Sequence, residues 1–219
     1  MRLGIFGGTF NPIHYGHLRS AEEVREAQHL DRVLFVPSAT PPHKGRTDLA
    51  PAEQRFAMVR RAVAGIPDFR ASRIEIDRPG RSYSVDTLAA LRRRHRDARL
   101  VFIIGLDAFR EIATWKEPAR LFGLCDVVVT SRPPWADIDL AAAIPVVARE
   151  DFRYNRARNE LTHASGHRVI FQRISDLAIS ATGVRRLRRS GRSIRFLVPA
   201  AVERYIGREN LYRPRKADR

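Results

Sequence analysis

Cysteine, lysine and long apolar runs are scarce in this chain of 219 residues. A single cysteine, Cys125, excludes an intramolecular disulfide and any metal site built from clustered cysteines. No stretch approaches the roughly 18 uninterrupted apolar residues of a membrane-spanning helix. The opening MRLGIFGG is also too short an apolar run for a secretory signal. We therefore expect a soluble, cytoplasmic protein.

Basic residues outnumber acidic residues, and lysine is so rare that arginine supplies nearly all of the positive charge. The formal net charge is +16, and only three of the 40 basic residues are lysine, at positions 44, 116 and 216. This excess favours an anionic partner, either nucleic acid, a membrane surface or a phosphorylated small molecule. The charge does not choose among these partners. A compositional bias of the source genome would also supply the arginine equally well, without selection for any partner.

Apolar runs of strand length alternate with helical patterns, as expected for an α/β protein with a parallel sheet. The expected strands are RLGIF, RVLFVP, FRASRIEI, LVFIIG, DVVVTSRP and VIFQ, and the expected helices between them are LRSAEEVREAQ, PAEQRFAMVRRAVAG and SVDTLAALRRRH. The continuous apolar run LVFIIG suits a strand that is covered on both faces. We therefore predict a doubly wound parallel sheet in a single domain that spans residues 1–219.

Residues 133–168 interrupt this alternation, because prolines, arginines and polar residues follow one another there without a sustained period. We expect an irregular connection in this region. A small C-terminal helical part is expected at about 180–212. Ser180 is a suitable N-cap, Gly191 a suitable helix end, and LVPAAVERYIG reads as the last helix.

The segment GGTFNPIHYGH, residues 7–17, follows the first expected strand and carries the strongest chemical signal. Ligands of open α/β sheets bind beyond the carboxyl ends of the strands. Gly7 and Gly8 permit close approach of the backbone to a ligand, and the start of the next helix offers N–H groups to phosphate. The segment fits neither GxGxxG nor GxxxxGK[ST], which disfavours a dinucleotide fingerprint and a P-loop.

His14 and His17 stand three residues apart within this segment. If the helix begins near them, both imidazoles lie on one face and can donate to phosphate oxygens. Metal ligation is the competing chemistry, and it would need a third protein ligand that no nearby cysteine or HExxH pattern supplies. We therefore predict a phosphate site without a protein-bound metal.

GGTFNPIHYGH resembles the first signature of the nucleotidyltransferase superfamily, and ISATGVR at 179–185 resembles the second signature, ISxTxxR. Further segments are similar to the bacterial nicotinate-nucleotide adenylyltransferases, namely PPHK, RSYSVDTL, FIIGLDA, TWK, SRP and LVPAAVERYI with NLY. The resemblance implies a Rossmann-like nucleotidyltransferase fold. It also implies a reaction in which ATP and nicotinate mononucleotide give nicotinate adenine dinucleotide and pyrophosphate.

The resemblance implies three groups of site residues. The catalytic group is His14, His17, Lys44 and Arg185. The ATP-binding group is Gly7, Gly8, Thr9, Phe10, Gly105, Asp107, Ile179, Ser180 and Thr182, and the group that binds nicotinate mononucleotide is Ser82, Tyr83, Thr87, Trp115 and Arg132. Mg²⁺ is implied as well, bound mainly through the ATP phosphates. The chain departs from the family pattern at Arg81 and Ser84, where Pro and Thr are usual, and at Pro134–Trp135, where Gly-Tyr is usual.

Other functions stay open at this point. Nicotinamide-mononucleotide adenylyltransferase is close, whereas pantetheine-phosphate adenylyltransferase is typically shorter and lacks SYSVDTL. The strong positive charge also allows a non-catalytic nucleic-acid-binding protein, although no RNP-like motif or zinc finger is present. We expect neither nucleic-acid nor membrane partners, and a homo-oligomer remains open. The central prediction is that the turn after the first strand and the helix start near 180 meet around one triphosphate.

Overall fold

A computed structural model describes residues 1–41, 48–131, 142, 144–155, 157, 160–175 and 177–213. Its sheet has the strand order β3-β2-β1-β4-β5-β8-β7-β6. The strands are β1 (Arg2–Gly8), β2 (Arg32–Pro37), β3 (Phe69–Ala71), β4 (Arg99–Gly105), β5 (Asp126–Ser131), β6 (Phe152–Asn155), β7 (Glu160–His163) and β8 (Arg168–Arg173). The helices are α1 (Tyr15–Ala27), α2 (Ala52–Ala62), α3 (Ser84–Arg94), α4 (Leu106–Arg110), α5 (Pro118–Phe122), α6 (Ala181–Arg189) and α7 (Ala200–Arg208).

The predicted doubly wound parallel sheet is confirmed. Strands β3, β2, β1, β4, β5 and β8 pair in parallel, in that order. β1 lies between β2 and β4, so the direction of winding reverses beside it. Ligands of open α/β sheets bind at such a reversal, beyond the carboxyl ends of the strands. The fold therefore places the segment that follows β1 at the expected ligand site.

Both faces of the sheet are covered, which explains the unbroken apolar runs. Along β4, Leu100, Phe102 and Ile104 face a core that contains residues of α3, α4 and α5. Val101 and Ile103 face the opposite core, which contains residues of α1, α2, α6 and α7. Successive strand side chains point to opposite faces, so a strand covered on both sides needs apolar residues at every position.

The connection at 133–168 corrects one expectation. Its described part contains a 3-10 turn (Val146–Asp151) and an antiparallel hairpin of β6 and β7 that extends the sheet beyond β8. Two apolar side chains hold the hairpin: Phe152 packs edge-on against Phe122, with 5.1 Å between ring centroids, and Leu161 is buried. The rest of β6 is exposed, so the hairpin lacks the alternation that reveals a strand.

The third expected strand, FRASRIEI, is also shorter than predicted. β3 pairs with β2 only through Phe69–Ala71. The chain then turns, and the backbone N–H of Asp77 donates to the carbonyl of Arg73 at 2.9 Å. This turn directs Glu75 inward toward the carboxyl end of the sheet. Among the described residues, no helix is long and apolar enough to cross a membrane.

Candidate active site

A cavity of about 330 Å³ opens beyond the carboxyl ends of β1 and β4. Gly7, Gly8 and Thr9 line it from β1 and the turn that follows, and Gly105 lines it from the end of β4. The wall also contains the aromatic side chains of Phe102 and Trp115, the start of α3, and charged residues that include Lys116. This first cavity therefore combines exposed backbone, aromatic surface and a helix N-terminus.

A second cavity of about 280 Å³ lies between the turn after β1 and the start of α6. It is lined by Thr9, Phe10, Asn11, His17, Asp48, Leu49, Ala181, Thr182 and Arg185. Across it, Arg185 Nη1 donates to the carbonyl of Asn11 at 2.8 Å. The predicted meeting of the first turn and the late helix is thus confirmed. Thr9 lines both cavities, which makes them neighbours.

The two histidines lie at the start of α1 and stack on each other. Their ring centroids are 3.7 Å apart and their planes differ by 24°. His14 is the N-cap residue and is buried, whereas His17 is half-buried and lines the second cavity. The backbone N–H of His14 donates to Nδ1 of His17 at 3.2 Å. Neutral His17 therefore carries its proton on Nε2, which makes that nitrogen a hydrogen-bond donor.

Close packing explains two glycines of this segment. A Cβ at Gly8 would lie 3.0 Å from the ring of Phe10, which packs edge-on against His17. A Cβ at Gly16 would lie 3.1 Å from Nδ1 of His14 and 3.5 Å from the carbonyl oxygen of Ile179. Phe10 itself has φ of 47°, a strained left-handed conformation that clusters at functional sites.

The start of α6 has the predicted cap. Ser180 Oγ accepts the backbone N–H of Gly183 at 3.0 Å. A Cβ at Gly183 would lie 3.1 Å from this oxygen, so a larger residue would crowd the cap. Thr182 Oγ1 accepts from Arg185 Nη2 at 3.3 Å. The hydroxyl of Thr182 and the guanidinium of Arg185 consequently share one wall of the second cavity.

The residues predicted to hold the pyridine mononucleotide divide into two sets. Ser82, Tyr83 and Trp115 line the first cavity. Thr87 does not line either cavity: it is buried, and its hydroxyl donates to Glu75 Oε1 at 2.7 Å.

Among the residues predicted to bind ATP, Asp107 is exposed on the first turn of α4, next to Gly105. Lys44 and Arg132 lie outside the described residues.

Comparisons with known proteins identify the family of this chain. Residues 5–187 match the model of the cytidylyltransferase-like family. The chain is 50% identical to a probable nicotinate-nucleotide adenylyltransferase of Geobacter sp. (strain M21), over 97% of this chain and 98% of that protein. The corresponding protein of Syntrophotalea carbinolica is also 50% identical, over 97% of this chain and 98% of its own. The chain belongs to the nicotinate-nucleotide adenylyltransferase family.

Solved structures support the fold of this nicotinate-nucleotide adenylyltransferase family member. A nicotinic acid mononucleotide adenylyltransferase of Plasmodium falciparum, complexed with NaAD, superposes with a TM-score of 0.72 at 17% identity. The match covers 96% of this chain and 97% of that one. A putative nicotinate-nucleotide adenylyltransferase of Vibrio parahaemolyticus gives a TM-score of 0.63 at 17% identity, over 98% of both chains. At this identity the likeness shows a shared fold.

Sequence reasoning missed two buried charged residues of this adenylyltransferase-family site. Arg55 is fully buried and donates to three backbone carbonyls, those of Thr9 at 2.9 Å, Ala39 at 3.0 Å and Ala50 at 2.8 Å. Burial lowers the pKa of its guanidinium. Glu75 is buried on the wall of the first cavity. Arg55 thus fixes the loops after β1 and β2 to the segment before α2.

Asn11 is a second organising residue of the family site. Its Oδ1 accepts from the backbone N–H of Ala50 at 3.1 Å and from the hydroxyl of Tyr212 at 2.9 Å. Its Nδ2 donates to the carbonyl of Asp48 at 2.7 Å, and its own carbonyl accepts from Arg185. The turn beneath the second cavity is therefore joined to the C-terminal segment.

Proposed function

We propose that this protein is the adenylyltransferase that joins ATP and nicotinate mononucleotide in NAD biosynthesis, within the single domain expected from the sequence. The products are nicotinate adenine dinucleotide and pyrophosphate. The observation that carries the proposal is the pair of adjacent cavities that share Thr9. One offers imidazole, guanidinium and hydroxyl groups to phosphates, and the other offers aromatic surface and a helix N-terminus to a pyridine ring.

The reaction requires alignment and charge neutralisation rather than a covalent intermediate. A phosphate oxygen of the mononucleotide attacks the α-phosphorus of ATP, and the bond from that phosphorus to the bridging oxygen breaks as pyrophosphate leaves. His17 Nε2 would donate to the phosphates, with His14 setting its orientation. Arg185 and Thr182 would neutralise and bind the leaving pyrophosphate from the opposite wall.

Further ATP contacts are proposed from the resemblance and from position. Thr9 and Phe10 offer backbone donors near the α-phosphate, Ser180 stands at the start of α6, and Lys44 adds a cation. Asp107 is the proposed partner of a ribose hydroxyl, because it stands two residues after the end of β4.

On the mononucleotide side, Trp115 is proposed to stack on the pyridine ring. The backbone N–H groups at the start of α3 are proposed to bind the pyridine carboxylate, since α3 begins after Tyr83 without a side-chain cap. Ser82 and Tyr83 lie beside this helix start, and Arg132 is proposed to lie near the nucleotides. Recognition of a carboxylate by N–H donors favours nicotinate over nicotinamide.

Mg²⁺ is proposed to enter with ATP. Within the part of the chain that the structure describes, no group of three His, Cys, Asp or Glu side chains could hold a metal. Asp48 lines the second cavity, but its carboxylate pairs with Arg189. These donors fit an ion held by phosphate oxygens and water. When bound there, the ion supplies positive charge that stabilises the departing pyrophosphate. We also propose a cytoplasmic location, where ATP is available.

The test is turnover of the purified chain with ATP and either nicotinate or nicotinamide mononucleotide, followed by pyrophosphate release. We expect nicotinate adenine dinucleotide to form, with a clear preference for the nicotinate substrate. His17→Asn should lower kcat by about 10²–10³-fold, the usual effect of losing one transition-state donor. His29→Asn is the matched control, because His29 is exposed at the end of α1 and should leave kcat unchanged.

Three outcomes would contradict the proposal. Equal rates on the two mononucleotides, or a preference for the amide, would favour nicotinamide-mononucleotide adenylyltransferase. Near-normal turnover of the His17 variant would remove the assigned role of the imidazole. Inactivity toward ATP together with polynucleotide binding that weakens steeply with salt would favour a nucleic-acid-binding protein.

A further inference from the structure

A buried carboxylate faces the proposed pyridine subsite, and the mechanism above does not use it. Glu75 is 8% exposed and lines the first cavity beside Ser82, Tyr83 and Ser84. Burying a carboxylate is costly unless hydrogen bonds compensate. A carboxylate at this place therefore requires a function, particularly because the proposed substrate brings a second carboxylate into the same cavity.

The partners of Glu75 are hydroxyl groups at the start of α3. Thr87 Oγ1 donates to Glu75 Oε1 at 2.7 Å. The hydroxyl of Ser82 also lies close to Glu75 and stabilises its charged form. The oxygen of that hydroxyl accepts the backbone N–H groups of Ala39 at 2.8 Å and Thr40 at 3.3 Å. Burial raises the pKa of Glu75, and these two hydroxyls oppose that shift. One carboxylate thus connects a residue that precedes α3 with a residue in its first turn.

The segment held in this way is the one that presents the helix N–H groups. Ser82 precedes α3 by two residues, and Thr87 is the fourth residue of the helix. Arg78 Nη2 donates to Thr87 Oγ1 at 3.0 Å, and the backbone N–H of Ser82 donates to the carbonyl of Thr40 at 3.1 Å. These bonds fix the segment from both sides. Helix N–H donors bind an anion well only if their direction is fixed before the ligand arrives.

We propose that Glu75 is a positioning residue for the pyridine subsite, which holds Ser82 and Thr87 so that the first N–H groups of α3 point at the ring carboxylate. This inference rests on the proposed function. Thr87 then acts through Glu75 and does not touch the substrate. The preference for a carboxylate over a carboxamide depends on this arrangement, because a misdirected helix start no longer distinguishes the two groups by charge.

The test compares Glu75→Gln, Glu75→Asp and Thr87→Val. Gln keeps the volume but accepts through only one oxygen, Asp keeps the charge but is shorter, and Val removes the Thr87 hydroxyl. Each variant should raise KM for nicotinate mononucleotide about tenfold and leave KM for ATP within about twofold. The preference for nicotinate over nicotinamide mononucleotide should fall by a similar factor. Glu53→Gln is the matched control, since Glu53 is an exposed carboxylate of α2.

A double variant provides the decisive readout. If Glu75 and Thr87 act as one unit, Glu75→Gln with Thr87→Val should resemble either single variant, because coupled residues are not additive. Additive losses, or equal changes in both KM values, would overturn the proposal. A near-normal Glu75→Asp variant combined with tighter nicotinate binding by Glu75→Gln would instead indicate direct charge repulsion.

Folding and function are tested separately in the same experiment. The thermal midpoint of each variant is measured, and Thr87→Val provides the result if a Glu75 variant does not fold. If the parent chain forms nicotinate adenine dinucleotide but the variants keep its KM values, only the positioning proposal fails. If the parent chain itself forms no dinucleotide, the proposed function fails.

Discussion

The sheet buries a charged side chain at each of its two ends, and the two are held differently. At the carboxyl end, the guanidinium of Arg55 donates only to backbone carbonyls, at 2.8–3.0 Å. At the amino end, Asp126 begins β5 and accepts two hydrogen bonds from Arg99, at 2.6 and 2.9 Å, and one from the backbone N–H of Arg168. His167 Nδ1 lies 3.5 Å from the same carboxylate.

This difference in partners indicates that Arg55 serves the ligand-binding loops as well as stability, whereas Asp126 serves stability alone. The carbonyl partners of Arg55 orient three loops and carry no full charge, and the buried carboxylate of Glu75 lies near enough to attract the guanidinium electrostatically. The guanidinium of Arg99 neutralises the charge of Asp126 at the other end. Although burial opposes ionisation, the contacts with His167, Arg99 and Arg168 hold the pKa of Asp126 well below its usual range. Changing either residue should therefore destabilise the fold, and only a change at Arg55 should impair catalysis.

The largest effect is expected for Arg55→Met. Three carbonyls lose a charged donor at once, and we expect the free energy of unfolding to fall by about 3–5 kcal/mol. Turnover should fall too, because Thr9 is one of the residues released. Denaturant titration and steady-state kinetics measure the two effects. Arg60→Met, on an exposed position of the same helix, is the control. A stable Arg55→Met variant with normal kcat would contradict the assignment.

Asp126→Asn should cost less, about 1–3 kcal/mol, because the amide still accepts a hydrogen bond and the side chain of Arg99, which is 41% exposed, stays in contact with solvent. We expect KM for both substrates to stay unchanged, since the residue stands at the opposite end of the sheet. Kinetics at a temperature well below the thermal midpoint would test this. A rise in either KM would show that the two ends are not independent.

Acid should destabilise the protein mainly by protonating Asp126, at the amino end of the sheet. The folded-state pKa of Asp126 lies below its unfolded value, so its stabilising contribution is present above pH 4 or so and is lost as the pH falls toward the folded value. The unfolding free energy should therefore decline as the pH falls from about 5 toward 2, and less steeply in Asp126→Asn. Parallel slopes for the two proteins would eliminate Asp126 as the source.

The smallest effect is expected for a surface pair. Glu53 accepts two hydrogen bonds from Arg73 at 2.8 Å, but both side chains are largely exposed. Solvent screens such pairs, and Glu53→Gln should leave the unfolding midpoint within experimental error. A shift comparable to that of Asp126→Asn would mean that burial does not decide which charges matter here.

The parallel strands and the position of the turn after β1 could be predicted because their signals are local. Apolar runs mark strands that are covered on both faces, and GGTFNPIHYGH combines glycines, a helix start and two imidazoles within eleven residues. The hairpin in the connection could not be predicted, because its described strands bury few apolar side chains, chiefly Phe152 and Leu161, and its pairing with β8 is not specified by a local pattern. The short β3 depends on its pairing with β2, which no local pattern specifies.

Sequence reasoning missed Arg55 and Glu75 for the same reason, because their burial depends on segments that are distant in the sequence. Arg55 had a signal: it falls on the apolar stripe of α2 with Met58, Val59 and Ala62, where a solvated arginine does not belong. Glu75 lies between isoleucines in a stretch that reads as a strand, so its turn conformation was hidden. The role expected for Thr87 as a direct ligand stays a prediction, and its hydrogen bond to Glu75 favours an indirect role.

The hydrogen bonds of Asn11 have a consequence for folding during synthesis of the protein. A ribosome releases Asn11 well before Arg185, and Arg185 before Tyr212, yet all three meet at one turn. The floor of the second cavity is therefore completed only after residue 212 has left the ribosome. Shorter nascent chains lack the hydrogen bond that Tyr212 donates to Asn11.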